Sequence, residues 1–422
     1  MHIVTLKGED IMKIKLVLSI ICALCILLPA AVFASSEEAD GEKAEPAKGE
    51  YENKILHPYT TLENEYFKMW AQGQSEAAEA LGYESLPVIN EGDTDKQVSQ
   101  IETMISAGVK IVQNVSPDSS NIASIAKLCQ QNGVILVNSH ETPEWLTPPD
   151  IGDFYVVANF ADNYGYGYQM AKLLFDKIGG KGKILHISGW PGNLPNKFRT
   201  MGLEKALEEY PGIELLASQP GKWNRVDSRK VMEDFIIAYP EFDAVFGQND
   251  DVGIGAMIAC EEAGISVPIT GIDGNKETME YVKQGRYFAI MSQHPGWHSG
   301  WSTVIAYDAA HGWKPSIAER MLQFDGTVIM EDNVDWYYNL MWGKETLPFD
   351  WKKMSKVLHP DDWDLQNGVR PLDPRDLWAG MDKPAGYQLP DEYGAGYEED
   401  YNRVKKMYSD HYKSKTLHPH LK

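Results

Sequence analysis

Residues 238–264, AYPEFDAVFGQNDDVGIGAMIACEEAG, and residues 269–295, ITGIDGNKETMEYVKQGRYFAIMSQHP, carry the pattern that decides the fold. Three short apolar runs (Ala244–Gly247, Ile269–Ile272, Phe288–Ser292) read as strands. Between them Gly253–Ala263 and Lys276–Gln284 read as helices, and this alternation is that of βα units in a parallel sheet. The same pattern runs back through this half, with strands at Lys183–Ser188 and Ile213–Ala217 and helices at Tyr164–Ile178, Phe198–Tyr210 and Asp227–Tyr239. An earlier run repeats it: strands at Lys54–Tyr59, Leu86–Asn90, Val109–Asn114, Val134–Ser139 and Phe154–Asn159, and helices at Tyr66–Leu81, Lys96–Ala107 and Asn121–Gln131. In the second of these helices Val98, Ile101, Met104 and Ile105 recur at helical spacing, and Gly108 stops it. Two runs of about five βα units predict two doubly wound parallel sheets; about ten strands are too many for an eight-fold barrel.

The flanks differ from this middle. Lys13 and Lys15 precede an apolar run from Leu16 to Phe33, and Val32 and Ala34 are small, so residues 1–34 read as a signal peptide cleaved after Ala34. An uncleaved anchor is the competing reading. Glu9 and Asp10 suit a signal's positive end poorly, which makes Met12 an alternative start. Cys22 and Cys25 follow the bulky Ile21 and Leu24, so lipoprotein processing is not expected. Residues 35–50 are acidic and almost free of large apolar groups, a solvated linker. Beyond about Asn333 the chain turns rich in Trp, Tyr, Pro and Asp. Tyr397, Tyr401, Val404 and Tyr408 share one helix face there. This irregular, aromatic-rich extension, 334–422, is expected to wrap around the domains; a place in the cleft or a partner surface are the alternatives.

With 39 Lys and Arg against 61 Asp and Glu, the 422-residue chain carries a formal charge of −22. Nucleic acid is therefore excluded as a partner, because phosphate neutralisation needs clustered cations. After cleavage only Cys129 and Cys260 remain, each on a separate helix, and they are expected to be buried thiols and not a bridge.

Open parallel sheets bind ligands beyond the carboxyl ends of their strands. Here those ends are polar: Asn114, Asn138, Asn249 with Asp250, Asp273 and Gln293. Amides and carboxylates offer paired donors and acceptors for vicinal hydroxyls. Trp190, Trp223, Tyr66 and Phe67 fall near strand ends too and offer flat faces to the C–H side of a sugar ring. Taken singly, each polar residue reads equally as a turn or cap and each aromatic as core. Repetition at successive strand ends points to a neutral polyhydroxy ligand.

The stretch from LLASQPGKWNR (215–225) through AIMSQHP (289–295) resembles the periplasmic ribose-binding protein family, and the resemblance extends from about 51 to 333. It implies two lobes joined by three hinge strands (periplasmic binding protein type I), with crossings near Ala161, Gln293 and Gln323. Lobe 1 would comprise 51–161 and 294–322, and lobe 2 162–293 and 323–333. The family's pocket polar groups fall on Arg199, Asn249, Asp273 and Gln293, and its stacking aromatic on Trp223. LENEYFKMW (62–70) places Asn64, Tyr66 and Phe67 at the cleft, and Asn114 matches a further polar position. Asn138 and Ser139 stand where ribose binders carry an Asp–Arg pair, a departure that separates this pocket from a ribose site. The implied function is capture of a sugar or polyol by hinge closure in the periplasm, for delivery to the membrane permease of an ABC importer. A sensory role through a membrane chemoreceptor is the alternative.

No cofactor, metal or catalytic residue is expected. Gly253-Ile254-Gly255 lacks the third glycine of a dinucleotide loop and reads as helix packing. His294 and His298 have zinc-pair spacing, but no glutamate accompanies them and Pro295-Gly296 argues against a helix. A glycosidase needs two carboxylates about the scissile bond, and Asp273 has no evident partner.

Overall fold

The protein is described by a computed structural model covering residues 49–419. The signal peptide, its cleavage after Ala34, the Met12 start and nearly all of the acidic linker lie outside the described residues. The strands are β1 (Lys54–Tyr59), β2 (Glu84–Ile89), β3 (Ile111–Val115), β4 (Ile135–Ser139), β5 (Tyr155–Ala161), β6 (Lys181–Ser188), β7 (Gly212–Pro220), β8 (Ala244–Gly247), β9 (Ile269–Asp273), β10 (Ala289–Ser292), β11 (Met321–Phe324), β12 (Thr327–Ile329) and β13 (Val369–Pro371). They form two sheets, of order β13-β11-β5-β4-β3-β1-β2 in lobe 1 and β12-β10-β9-β8-β6-β7 in lobe 2. All pairings are parallel except β11 with β13 and β10 with β12. The ten strands expected from the sequence are all present, as are the eight helices between them, with small shifts at their ends.

Both faces of the lobe 1 sheet are buried, as a parallel sheet requires. Leu56, Val112 and Leu136 pack on one face against Ile101 and Ile125, while Ile55, Ile111 and Val137 belong to the opposite core. Alternation along each strand assigns the side chains to these two faces. In lobe 2, Gly253 and Gly255 serve close packing: a Cβ at Gly253 would strike the Tyr287 hydroxyl, and one at Gly255 would sit 2.6 Å from the Arg225 carbonyl oxygen. Cys129 in lobe 1 and Cys260 in lobe 2 are buried free thiols.

The chain leaves the lobe 1 sheet after β5, which ends at Ala161, and leaves the lobe 2 sheet after β10, which ends at Ser292; the sequence places crossings near Ala161 and Gln293. The third differs. Gln323 lies inside β11, paired with Phe160 of lobe 1, and the crossing falls at Asp325–Gly326, before β12. A second correction concerns Pro295–Ala310, which is a helix. Proline is suited to the first helical position, where its missing N–H costs nothing. Residues 295–308 are all buried, so the helix lacks the polar face that periodicity would detect. His298 lies in its first turn, with Nε2 2.5 Å from Asn159 Oδ1. In the extension, β13 joins the lobe 1 sheet, and helix Tyr397–Asp410 buries Tyr397, Val404 and Tyr408, with Tyr401 half-buried.

Candidate functional site

The carboxyl ends of strands from both sheets meet around one cavity of about 730 Å³, within the ~300–1,000 Å³ usual for small-molecule sites. Nine of the eleven residues singled out from the sequence line it: Asn64, Tyr66 and Phe67 from lobe 1, and Trp190, Arg199, Trp223, Asn249, Asp273 and Gln293 from lobe 2.

The polar floor belongs to lobe 2. Asp273 ends β9, and its carboxylate accepts Gln293 Nε2 at 2.6 Å and Asn249 Nδ2 at 3.2 Å. Asn249 is itself pinned, because its Oδ1 caps the helix Asp250–Glu262 by accepting Val252 N at 2.8 Å. Behind it, Asp250 accepts the amides of Gly274 and Asn275 at 3.0 and 2.7 Å, fixing the turn after Asp273. Arg199 is buried, donating from Nε to Asn163 Oδ1 at 3.0 Å and from Nη1 to the Gln248 carbonyl at 2.7 Å. Burial pushes the Asp273 carboxyl up to about 7, against the opposing pull of Arg199 and Gln293.

Aromatic surfaces complete the walls. Lys222 and Trp223 both adopt left-handed backbone, φ 54° and 58°; residues in that region cost about 1–3 kcal/mol each and cluster at functional sites. The turn lays the Trp223 indole over Gly189, where a Cβ would fall 1.9 Å from the ring. Its Nε1 donates to Asn193 Oδ1 at 2.9 Å, and the Arg199 guanidinium lies 5.5 Å from the ring centre. Asn64 caps the helix Glu65–Ala80 by accepting Phe67 N at 2.9 Å, which directs Tyr66 and Phe67 toward the cavity, edge to face at 5.4 Å. Trp190 is 49% exposed at the rim. The Tyr66 hydroxyl and Gln293 Oε1 are buried without a hydrogen-bond partner, groups a bound hydroxyl would satisfy.

Asn114 and Asn138 are corrections, since neither lines the cavity. They sit opposite one another on β3 and β4 and are fully buried. Asn114 Nδ2 donates to Asn138 Oδ1 at 2.8 Å and to Ser116 Oγ at 3.0 Å, while its Oδ1 accepts Gln97 Nε2 at 2.8 Å. Asn138 Nδ2 donates to the Glu141 carbonyl at 2.7 Å. Their amides are spent inside the protein, holding the loops that do face the cavity.

Those loops carry residues that sequence reasoning missed: His140 and Glu141 after β4, Ser116 to Ser120 after β3, and Asn193 after β6. The departure read from Asn138 and Ser139 is therefore displaced: one and two positions on, an imidazole and a carboxyl face the cavity. Glu141 also bridges the lobes, its Oε2 accepting Leu194 N at 3.2 Å. Asn193 Nδ2 donates to the Pro117 carbonyl at 3.3 Å, Lys197 pairs with Glu144 at 2.5 Å, and Glu277 N donates to Glu65 Oε2 at 3.3 Å. The cleft is thus latched on several sides.

Burial pushes the Glu141 carboxyl up to about 8; Leu194 N and Arg199 pull it down and Asp118 pushes it further up. Opening the cleft would hydrate it and return it toward the ordinary value of about 4.3. A group whose pKa is higher in the closed form takes up a proton on closure. Closure is then favoured most at low pH and loses that contribution as pH rises toward 8. Titration calorimetry between pH 7 and 9 should show ligand affinity falling with pH, by up to about tenfold per unit. Glu141→Gln should flatten the profile in this range, which lies above the value of about 7 to which Asp273 is raised. An unchanged slope in that variant would exclude Glu141 as its source.

A family model described as a periplasmic binding protein domain matches residues 58–314. The ribose import binding protein RbsB of Bacillus subtilis is 27% identical over 300 residues, 71% of this chain and 95% of that protein. The xylitol-binding protein of Mycolicibacterium smegmatis is 30% identical over 204 residues, 48% of this chain and 56% of that protein. An ABC transporter periplasmic solute-binding protein from Actinobacillus succinogenes, solved with bound D-allose, matches with a TM-score of 0.63 at 26% identity, covering 67% of this chain and 99% of that one. These relatives are named as binding proteins. The match to the family model spans more than half of the sequence, and the chain belongs to the periplasmic binding protein family.

Proposed function

We propose that this protein is the solute-binding component of an ABC-type importer. It captures a sugar or polyol between its lobes by hinge closure and presents the closed form to a membrane permease. The observation that carries this reading is the convergence of Asp273, Asn249, Gln293 and Arg199 on one cavity walled by Trp223, Tyr66 and Phe67. Oriented amides and a carboxylate match vicinal hydroxyls, and indole and phenyl faces match the apolar side of a ring. The relatives named for ribose and xylitol, and the structure holding D-allose, bind ligands of this class. The leader read at residues 1–34 agrees with an exported protein.

A thermal-shift screen of the mature protein against monosaccharides, polyols and nucleosides tests the assignment. A true ligand at a hundred times its dissociation constant stabilises by about 2.7 kcal/mol. One polyhydroxy compound should stand clear of the panel. Absence of any shift across the panel would overturn the sugar assignment.

A further inference from the structure

The extension contributes nothing to the lining of the main cavity, yet it touches both lobes and all three crossings. Its first helix, Val334–Trp342, sits on lobe 2, where Lys283 Nζ lies 3.5 Å from the Tyr338 ring centre. The chain then passes to lobe 1, a fourth link between the lobes. Leu347 N donates to the Glu76 carboxylate at 3.1 Å, and the Trp351 ring packs over Gly300, where a Cβ would fall 2.4 Å from it. Between these anchors Trp342 lines a small cavity with Glu65 and Lys68 of lobe 1 and Gly274 and Asn275 of lobe 2.

Two contacts bear directly on the hinge. From β13, Arg370 reaches Asp162 of the first crossing at 2.6 Å, Asp325 of the third, and Gln323 Oε1 at 2.9 Å. At the far end, the Leu417 carbonyl accepts the Thr327 hydroxyl at 2.9 Å, and His418 Nε2 donates to the Gly326 carbonyl at 2.9 Å. Thr327 Oγ1 in turn lies 3.1 Å from His294 Nε2 at the second crossing, whose Nδ1 is 2.7 Å from the Tyr337 hydroxyl. One tautomer satisfies this whole chain: Tyr337 donates to Nδ1, Nε2–H donates to Thr327, and Thr327 donates to Leu417. Burial holds the imidazole neutral, well below its ordinary value, as that arrangement needs.

An isolated surface ion pair contributes little. A single guanidinium tying two carboxylates on separate crossings differs, because rotation of the lobes about those crossings alters both distances together. We propose that the extension is a hinge brace, with Arg370 as the positioning residue that limits how far the cleft opens and so tunes affinity without touching ligand. The effect on affinity rests on the capture function proposed above; the effect on opening does not.

The test therefore begins without ligand. Small-angle scattering of the full mature chain should give a larger radius of gyration for Arg370→Gln than for the parent protein. Titration with the ligand found in the screen should show affinity at least about fivefold weaker, with the loss in the dissociation rate and the melting temperature retained. If Arg370→Gln fails to fold, a chain ending at His411, which keeps the last helix and removes Leu417 and His418, is read in the same way. Unchanged scattering and affinity in a folded variant would overturn the brace. A parent protein that binds no sugar would overturn the capture reading, and the scattering comparison would still decide the brace.

Discussion

Asp273→Asn should weaken ligand capture by about 100-fold or more while leaving the protein folded, because hydrogen bonds to a charged acceptor contribute about 1.5–3 kcal/mol each. The carboxylate stands at the end of β9, held from two sides by Gln293 and Asn249, and the Arg199 charge favours its ionised form. An asparagine keeps the shape but replaces one acceptor oxygen with a donor. That donor meets the amide of Gln293 or of Asn249, or it faces the ligand, and each orientation loses a bond. Stability should not fall in parallel. Burial already pushes this carboxyl up to about 7, so a neutral amide avoids the cost of desolvating a charge. Titration calorimetry beside a melting curve separates the two effects. Wild-type affinity in this variant would remove Asp273 from the ligand's contacts.

Gly73→Ala should cost about 3 kcal/mol of stability, the upper end of ordinary overpacking penalties. Gly73 is where helix Glu65–Ala80 crosses helix Pro295–Ala310. A Cβ there would lie 1.9 Å from the Gly296 carbonyl oxygen, 2.7 Å from its carbonyl carbon and 2.5 Å from Ser299 Oγ. Ser299 can rotate, but the backbone of Gly296 cannot yield, so the helices must separate. At a solvent-exposed helical site the same change would stabilise by about 1 kcal/mol, which makes the sign of the result informative. The first helix carries Tyr66 and Phe67 and the second follows the hinge crossing at His294, so capture should weaken too. Chemical denaturation with a wild-type midpoint would show that the interface has room the structure does not give it.

Legibility followed burial pattern. Strands such as Ala244–Gly247 and helices such as Asn121–Gln131 could be read because an apolar run or a helical stripe marks them. Helix Pro295–Ala310 could not, because it is buried all round and its stripe vanishes. The strand at Val369–Pro371 is too short to carry a pattern, and it exists because β11 offers it an edge. At the site, reading polar strand ends led to Asp273, Asn249 and Gln293, which line the cavity. It misplaced Asn114 and Asn138 because facing depends on cross-strand register, which one sequence does not display: in register, their amides satisfy each other. The same rule carried one or two residues past β4 would have reached His140 and Glu141.

The most direct measurement of the central claim is a crystal structure of the mature protein with the compound that gives the largest thermal shift. The account predicts one ligand between the lobes, its hydroxyls within hydrogen-bond distance of Asp273 and Arg199 and its ring against Trp223. A ligand bound elsewhere, or a cleft left empty at saturating concentration, would contradict it.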